Sequence, residues 1–291
     1  MRTKRPERRD GAVCRGRPRV GISYSDYVRP LLLDQPDLFD YVEIPFEMLR
    51  ANPHVVPIEN CPQVLLHSAS LSMAGDVPPD EATWSAVGDW IDRTSTPWLS
   101  EHLAFFTAHR TPDDGSSHSA VPIYDIGYAI SAPMNEESLD VVVAAVDACS
   151  QRFGIPILLE NSPLYFTPPG STMTQFEYIR RLCERSPARL LLDVTHLVIT
   201  AHNLGRDPIE ALHELPLDRI LEVHVAGISD FEGTQWDDHT VRAPEVVMDV
   251  LRVLARGSGL EAVTLEYNWS VTFPRHTLLS ELARVKEALA A

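Results

Sequence analysis

The 291-residue sequence contains no apolar run approaching the roughly 18 residues that a helix needs to span a bilayer. It does not open on a secretory signal either, because MRTKRPERRDGAVCRGRPR is basic and carries no apolar core. A cytoplasmic location is the expectation from both absences. The four cysteines, Cys14, Cys61, Cys149 and Cys183, show no CxxC spacing. That excludes a zinc ribbon and a disulfide framework and leaves reduced thiols, with Cys149 and Cys183 falling in helical patterns as core residues. No internal repeat of roughly 20–50 residues and no low-complexity linker interrupts the chain, so residues 19–291 are expected to form one domain.

Positive charge is scarce beyond the start. Residues 1–19 hold eight Arg or Lys against two acids, whereas the remainder holds 17 basic and 39 acidic residues, a balance of −22. A body this acidic repels a phosphate backbone, which argues against a nucleic-acid partner. Residues 1–18 lack hydrophobic periodicity and are expected to be a basic, disordered extension. The rest, in a chain that is 44% hydrophobic and 23% charged, has the makings of a sizeable core.

Eight short runs rich in Val, Ile, Leu and aromatics are present. They are RVGISYS (19–25), YVEIPFE (41–47), QVLLHSAS (63–70), WLSEHLAF (98–105), PILLENS (156–162), RLLLDVTH (189–196), ILEVHVAG (220–227) and AVTLEYN (262–268). Several are almost continuously apolar, as parallel strands covered by helices are. Between the later runs, and after the last, lie helical patterns such as NEESLDVVVAAVDACSQRFG and APEVVMDVLRVLARG. Alternating strands and helices of this number predict an α/β fold, a single (β/α)8 TIM barrel.

From the third run onward each strand ends on an ionisable residue: His67, His102, Glu160, Asp193, His224 and Glu266. One such residue would mean little; six in succession form a pattern. In a β/α barrel all C-terminal strand ends meet at one mouth, where the active sites of the fold sit. His196 closes the sixth run, and the loop after the seventh adds Asp237-Asp238-His239, whose D-x-H spacing aims two donors at one point. So many carboxylates and imidazoles packed together would repel or suffer desolvation without compensation. Mixed His/Asp/Glu ligation suits divalent first-row metals, and the donor supply fits two or three ions better than one. Glu160, Asp193 and His224 are read as the groups nearest the chemistry. The bland alternatives are a buried His with a backbone partner, and Asp193 and His196 as a metal-free hydrogen-bonded pair. Glu43 and Glu47 are read as supporting or substrate-facing groups, Glu101 as facing the helices, and His202-Asn203 as lining the mouth from a loop. His54, His109, His118, His213 and His276 are read as solvated.

The segments LLHSASLS, LSEHLAF, ILLENSPLYF, LLLDVTHLVITAHNLG, EVHVAG, DDH and TLEYN occur in an order that gives the chain a family resemblance. Over residues 19–290 it resembles the DUF692 family, the multinuclear non-haem iron-dependent oxidases that include the methanobactin-biosynthesis oxidase. The resemblance implies a xylose-isomerase-like barrel and two or three irons of mixed Fe(II)/Fe(III) valence, with O2 as co-substrate. It implies action on cysteine, or another residue near the C-terminus, of a ribosomally made precursor peptide, with a small partner protein presenting the leader. By resemblance the metal ligands fall on His67, His102, Glu160, Asp193, His196, His224, Asp237, His239 and Glu266. Many relatives have Asn where this chain has His196, and the extra imidazole is expected to strengthen a third iron site. The polar stretch from Thr107 to His118 is expected to shape the peptide groove. Two other readings stay open: a metal-dependent hydrolase or isomerase of the endonuclease IV or sugar-isomerase type, and a non-catalytic metal- or peptide-binding module.

Overall fold

Strands that are buried on both faces must place every second side chain inside the barrel and the others beneath the helices. The computed structural model describes residues 17–53, 58, 61–109, 123–257, 259–267 and 274–291. The expected basic extension lies almost wholly outside the described residues, as do His54, His118 and Cys14. In chain order the strands are β1 (Arg19–Ser23), β2 (Tyr41–Pro45), β3 (Val64–Ser68), β4 (Leu99–His102), β5 (Phe105–His109), β6 (Ile123–Ile130), β7 (Ile157–Glu160), β8 (Arg189–Asp193), β9 (Ile220–Val225), β10 (Ile228–Phe231), β11 (Thr234–Asp237) and β12 (Ala262–Leu265). The helices are α1 (Arg29–Asp34), α2 (Phe46–Ala51), α3 (Glu81–Thr94), α4 (Glu136–Phe153), α5 (Gln175–Arg185), α6 (Val194–Asn203), α7 (Pro208–His213), α8 (Glu245–Gly257) and α9 (Arg275–Ala288). None is long and apolar enough to cross a bilayer.

Eight of these strands close into a parallel barrel in the order β1-β12-β9-β8-β7-β4-β3-β2. Each expected run supplies one barrel strand, trimmed at its ends. The chain is therefore a (β/α)8 barrel. Side-chain alternation divides its apolar residues into two clusters. Val20, Ile22, Val42, Ile44, Leu66, Leu159, Leu192 and Val223 pack outward against the helices in the main core. Tyr41, Leu65, Trp98, Leu158, Leu191 and Ala262 form a separate plug on the inward faces. Two residues further along those inward faces stand Glu43, His67, Ser100, Glu160, Asp193 and Thr264, all buried. The barrel is apolar at its base, with Glu222 of β9 the buried exception, and ionisable at its mouth.

Asp80, Asn135, Thr174, Asp193 and Asp207 accept first-turn amides and start α3, α4, α5, α6 and α7. At Asp193 this cap corrects the sequence reading. The run RLLLDVTH ends as strand at Asp193, whose Oδ1 accepts the His196 amide at 2.8 Å, and α6 begins at Val194. His196 thus sits in the first turn of a helix, not at a strand end. His202 and Asn203 lie in the last turn of α6 rather than in a loop. Two antiparallel hairpins, β5–β6 and β10–β11, follow β4 and β9 at the mouth. The polar stretch expected to shape a groove begins in the first hairpin, and residues 110–122 lie outside the described residues.

Gly21 faces inward, and a Cβ there would overlap the Tyr41 ring. That ring is fixed by a 2.7 Å hydrogen bond between its hydroxyl and Thr264 Oγ1. Gly21→Ala is expected to destabilise the fold by about 1–3 kcal/mol through overpacking. Urea unfolding measures it, and an unchanged midpoint would contradict this packing.

Candidate metal centre

The inward alternation and the trimmed strand ends bring all nine expected residues to one place. Three groups of donor atoms form, each with its atoms within 4.8 Å of one another: His67, His102 and Glu160; Glu160, Asp193, His224 and Glu266; His196, Asp237 and His239. Two donors on opposite sides of one ion stand about 4.2 Å apart, given bonds of about 2.1 Å, so small side-chain adjustments would close each group on a cation. Glu160 belongs to two groups. Its Oε2 lies 3.3 Å from His67 Nε2 and 3.4 Å from His102 Nε2, and its Oε1 lies 3.7 Å from His224 Nδ1 and 3.6 Å from His196 Nδ1.

Four of the five imidazoles are held from behind. Ser100 Oγ contacts His67 Nδ1 at 2.9 Å, and the Ser68 carbonyl accepts from His102 Nδ1 at 3.2 Å. The Asn161 carbonyl accepts from His196 Nδ1 at 2.8 Å, which leaves His196 Nε2 facing Asp237 Oδ2 at 3.4 Å. His224 is turned the other way: Nε2 meets Glu43 at 2.9 Å, and Nδ1 faces Glu266 at 2.8 Å. Such contacts fix tautomer and ring orientation, as the outer partners of metal-bound imidazoles do. Glu43 was read from the sequence as a supporting group, and this is the support it gives. Glu222 was not anticipated. It is buried beside Glu43, where Trp98 Nε1 and Thr264 Oγ1 donate to it at 2.7 and 3.0 Å, and it joins Glu43 and His224 in a fourth cluster of potential donors. Burial, then the neighbouring Glu43 carboxylate, pushes Glu222 up to about 8.

Among the described residues ten buried side-chain polar atoms lack a hydrogen bond of good geometry, and five of them sit in these groups: Glu160 Oε2, Asp193 Oδ2, His196 Nε2, Asp237 Oδ1 and His239 Nε2, the last still 2.9 Å from Asp237 Oδ2. Buried polar atoms are nearly always satisfied, so this concentration of unsatisfied donors and acceptors fits a cationic guest. Exposure is graded. Asp193 and His224 side chains are 0% exposed, whereas those of His102, Asp237, His239 and Glu266 are 21–24% exposed and form an accessible rim.

The charges complement one another. Burial, with His102 and His224 nearby, holds His67 well below the usual imidazole range, neutral and ready to donate a lone pair. Burial opposes protonation of His102 and His239, but Glu160 and Glu101 around the first and Glu266 and Asp237 around the second outweigh it and hold both at about 9. Burial raises Asp193 to about 6 against the pull of His196. It would raise Asp237 and Glu266 too, but the adjacent imidazoles hold both well below the usual carboxylate range. In the metal-free protein, protons occupy the electrostatic role that cations could take.

Other residues fall outside the centre. Glu101 lies on the outward parity, as expected, but it is fully buried and accepts the Leu71 and His102 amides at 2.9 Å. Glu47 lies in α2, not at a strand end, and accepts from the Ala69 amide and Ser70 hydroxyl. Asp238 caps a turn through Thr240. His213 and His276 are exposed on helices, and His109 closes β5. Cys149 and Cys183 are buried in α4 and α5, and burial pushes each thiol up to about 12.

A metal bound here must displace the protons on His102 and His239, so affinity falls as pH falls below about 9. The same raised values stabilise the metal-free fold fully below about pH 6.5, and that contribution is lost as pH rises through about 9. We expect the affinity for Fe(II), measured against a chromophoric chelator without oxygen, to drop by about tenfold or more from pH 8 to pH 6. The melting temperature of the metal-free protein should move the opposite way, falling toward pH 9. An affinity indifferent to pH would contradict the assignment of these protons.

Residues 19–290 match the family described as RiPP precursor modification enzyme MbnB/TglH/ChrH, where RiPP denotes a ribosomally synthesised and post-translationally modified peptide. A UPF0276 protein of Streptomyces avermitilis is 32% identical over 226 residues, 78% of this chain but 45% of that protein, so the chain spans about half of that relative. A UPF0276 protein of Caulobacter vibrioides is 28% identical over 263 residues, 88% of each chain. Among solved structures, D-psicose 3-epimerase from Clostridium cellulolyticum H10 is similar with a TM-score of 0.54 at 11% identity, covering 93% of this chain and 98% of that one. A xylose isomerase domain containing protein from Salmonella typhimurium gives 0.56 at 15% identity, covering 96% and 100%. At these identities the likeness is one of fold, a xylose-isomerase-like TIM barrel. By the match over residues 19–290, the chain belongs to the MbnB/TglH/ChrH family of RiPP precursor modification enzymes.

Proposed function

We propose that this protein is a multinuclear iron-dependent oxidase that uses O2 to modify a residue, cysteine before others, of a ribosomally synthesised precursor peptide. The observation that carries the reading is Glu160: one buried carboxylate shared by two donor groups, with a third group alongside. Carboxylates bridge neighbouring cations readily, and no single ion would use so many donors. His67, His102 and Glu160 would hold one iron; Glu160, Asp193, His224 and Glu266 a second; His196, Asp237 and His239 a third. Bound iron supplies the one-electron steps and the affinity for a thiolate that side chains alone lack.

The chain's own residues would do the rest. Ser100, the Ser68 and Asn161 carbonyls, and Glu43 hold four imidazoles in the orientation that presents the free nitrogen. Glu160, Asp193 and His224 lie nearest the chemistry, where their burial excludes bulk water. The rim of His102, Asp237, His239 and Glu266 faces a cavity through which a peptide segment can reach. The leader would then be recognised elsewhere, by a small partner protein.

The test is reconstitution with Fe(II) without oxygen, incubation with the peptides encoded beside the gene, and admission of O2. A change in peptide mass that requires both iron and O2 is expected. Glu160→Ala should abolish it and lower bound iron by more than one ion, because two groups lose their shared donor. Protein that binds zinc but not iron would favour the hydrolase or isomerase reading. Iron-loaded protein that consumes no O2 and leaves every such peptide unchanged would end the oxidase reading.

A further inference from the structure

The cavity over the donor groups encloses about 650 Å³, room for a few peptide side chains rather than a folded domain. Its walls come from two segments. The end of β6 contributes Tyr128 and Ile130, and the loop after β7 contributes Leu164, Tyr165, Phe166 and Pro168. Every residue from 128 to 131 and from 162 to 169 is uncharged. A charged side chain held between these walls would lose its water and meet no opposite charge from either segment, since the carboxylates and imidazoles lie on the floor beneath.

The walls are also open and held in place. Tyr128 is 76% exposed and Phe166 is 66% exposed. The Phe166 loop is pinned close to that residue: Gln175 Nε2 donates to the Ser162 carbonyl at 2.8 Å, the Leu164 amide donates to Thr200 Oγ1 at 2.9 Å, and Asn203 Nδ2 donates to the Leu164 carbonyl at 3.3 Å. Tyr165 stacks on Trp236 with ring centroids 4.3 Å apart, which ties the loop to the β10–β11 hairpin. Pro163, Pro168 and Pro169 restrict its backbone further. An aromatic ring kept in water by a rigid loop, beside a site that admits a peptide, offers contact area at little ordering cost. Beyond the cavity, a chain with net charge −16 disfavours acidic flanking sequence.

We infer, on the peptide-modifying reading above, that these walls select the residues adjacent to the modified one: a neutral, apolar or aromatic side chain of the precursor peptide, gripped through Phe166 and Tyr128. The occupant is a short internal or terminal stretch of the precursor, bound by its side chains. Among the described residues no Lys or Arg lines the cavity to receive a terminal carboxylate.

The test uses the full chain, iron-loaded and kept without O2, and labelled synthetic amides of the form Gly-X-Cys-X-Gly with X as Phe, Ser, Asp or Lys. Fluorescence anisotropy should show the Phe peptide bound about tenfold or more tighter than the Ser peptide, with the Asp and Lys peptides weaker still. Phe166→Ala and Tyr128→Ala should each reduce the Phe-over-Ser preference by about three- to tenfold, while the Ser peptide changes less than about twofold. Leu33→Ala, on an exposed face of α1, should keep the preference. Equal affinities for the four peptides, tighter binding of the Asp or Lys peptide, or an unchanged preference in both wall variants would overturn the inference. Repeating the series on metal-free protein separates the two readings. A Phe preference in a protein that takes up no iron sinks the oxidase and spares the walls, whereas iron- and O2-dependent modification without the preference does the reverse.

Discussion

A buried carboxylate surrounded by four imidazoles sets the terms for the whole mouth of this barrel. Glu160 ends β7 with its side chain 2% exposed, and His67, His102, His196 and His224 all approach it within 3.7 Å. In so buried a setting the carboxylate depends on positive charge close by. Neighbouring carboxylates favour a proton on His102, His196 and His224, whereas burial keeps His67 neutral, and cations could take the place of those protons. The barrel plug beneath, Tyr41, Leu65, Trp98, Leu158, Leu191 and Ala262, is what allows the strands to stop there with their ends together.

Much of this was legible in the amino-acid sequence because period-two alternation and barrel closure are simple constraints. Once His67, His102, Glu160, Asp193, His224 and Glu266 were assigned to strand ends, closure alone required them to converge. Less legible was the turn at Asp193. Val194, Thr195, Val198, Ile199 and Thr200 are β-branched residues that favour strands, and only the capping carboxylate and tertiary packing make them helical. Glu222 escaped notice because it precedes His224 by two residues on β9 and so shares its inward face one layer deeper. Its partners Trp98 and Thr264 lie 124 and 42 residues away in the chain, a juxtaposition no local pattern encodes. The hairpins were missed for a related reason: short polar strands such as Ile228–Phe231 carry no apolar periodicity.

Helix α6 links the centre to its surroundings. Its N-terminal turn carries His196 against the Asp193 cap, and its C-terminal turn carries Asn203, which pairs with the Gln235 backbone at 2.9 and 3.0 Å two residues before Asp237. One rigid element thereby sets the spacing between His196 and Asp237, and through Leu164 it also fixes the apolar wall of the cavity. Sugar epimerases of similar fold show how far the barrel alone is from specifying chemistry; the chemistry resides in what the strand ends and these attached segments present.

Anomalous diffraction at the iron edge, from crystals of the iron-loaded protein, tests the shared carboxylate most directly. The account predicts one peak on each side of the Glu160 carboxylate, with a further peak among His196, Asp237 and His239. A single peak that Glu160 does not touch, or none within reach of these side chains, would contradict it.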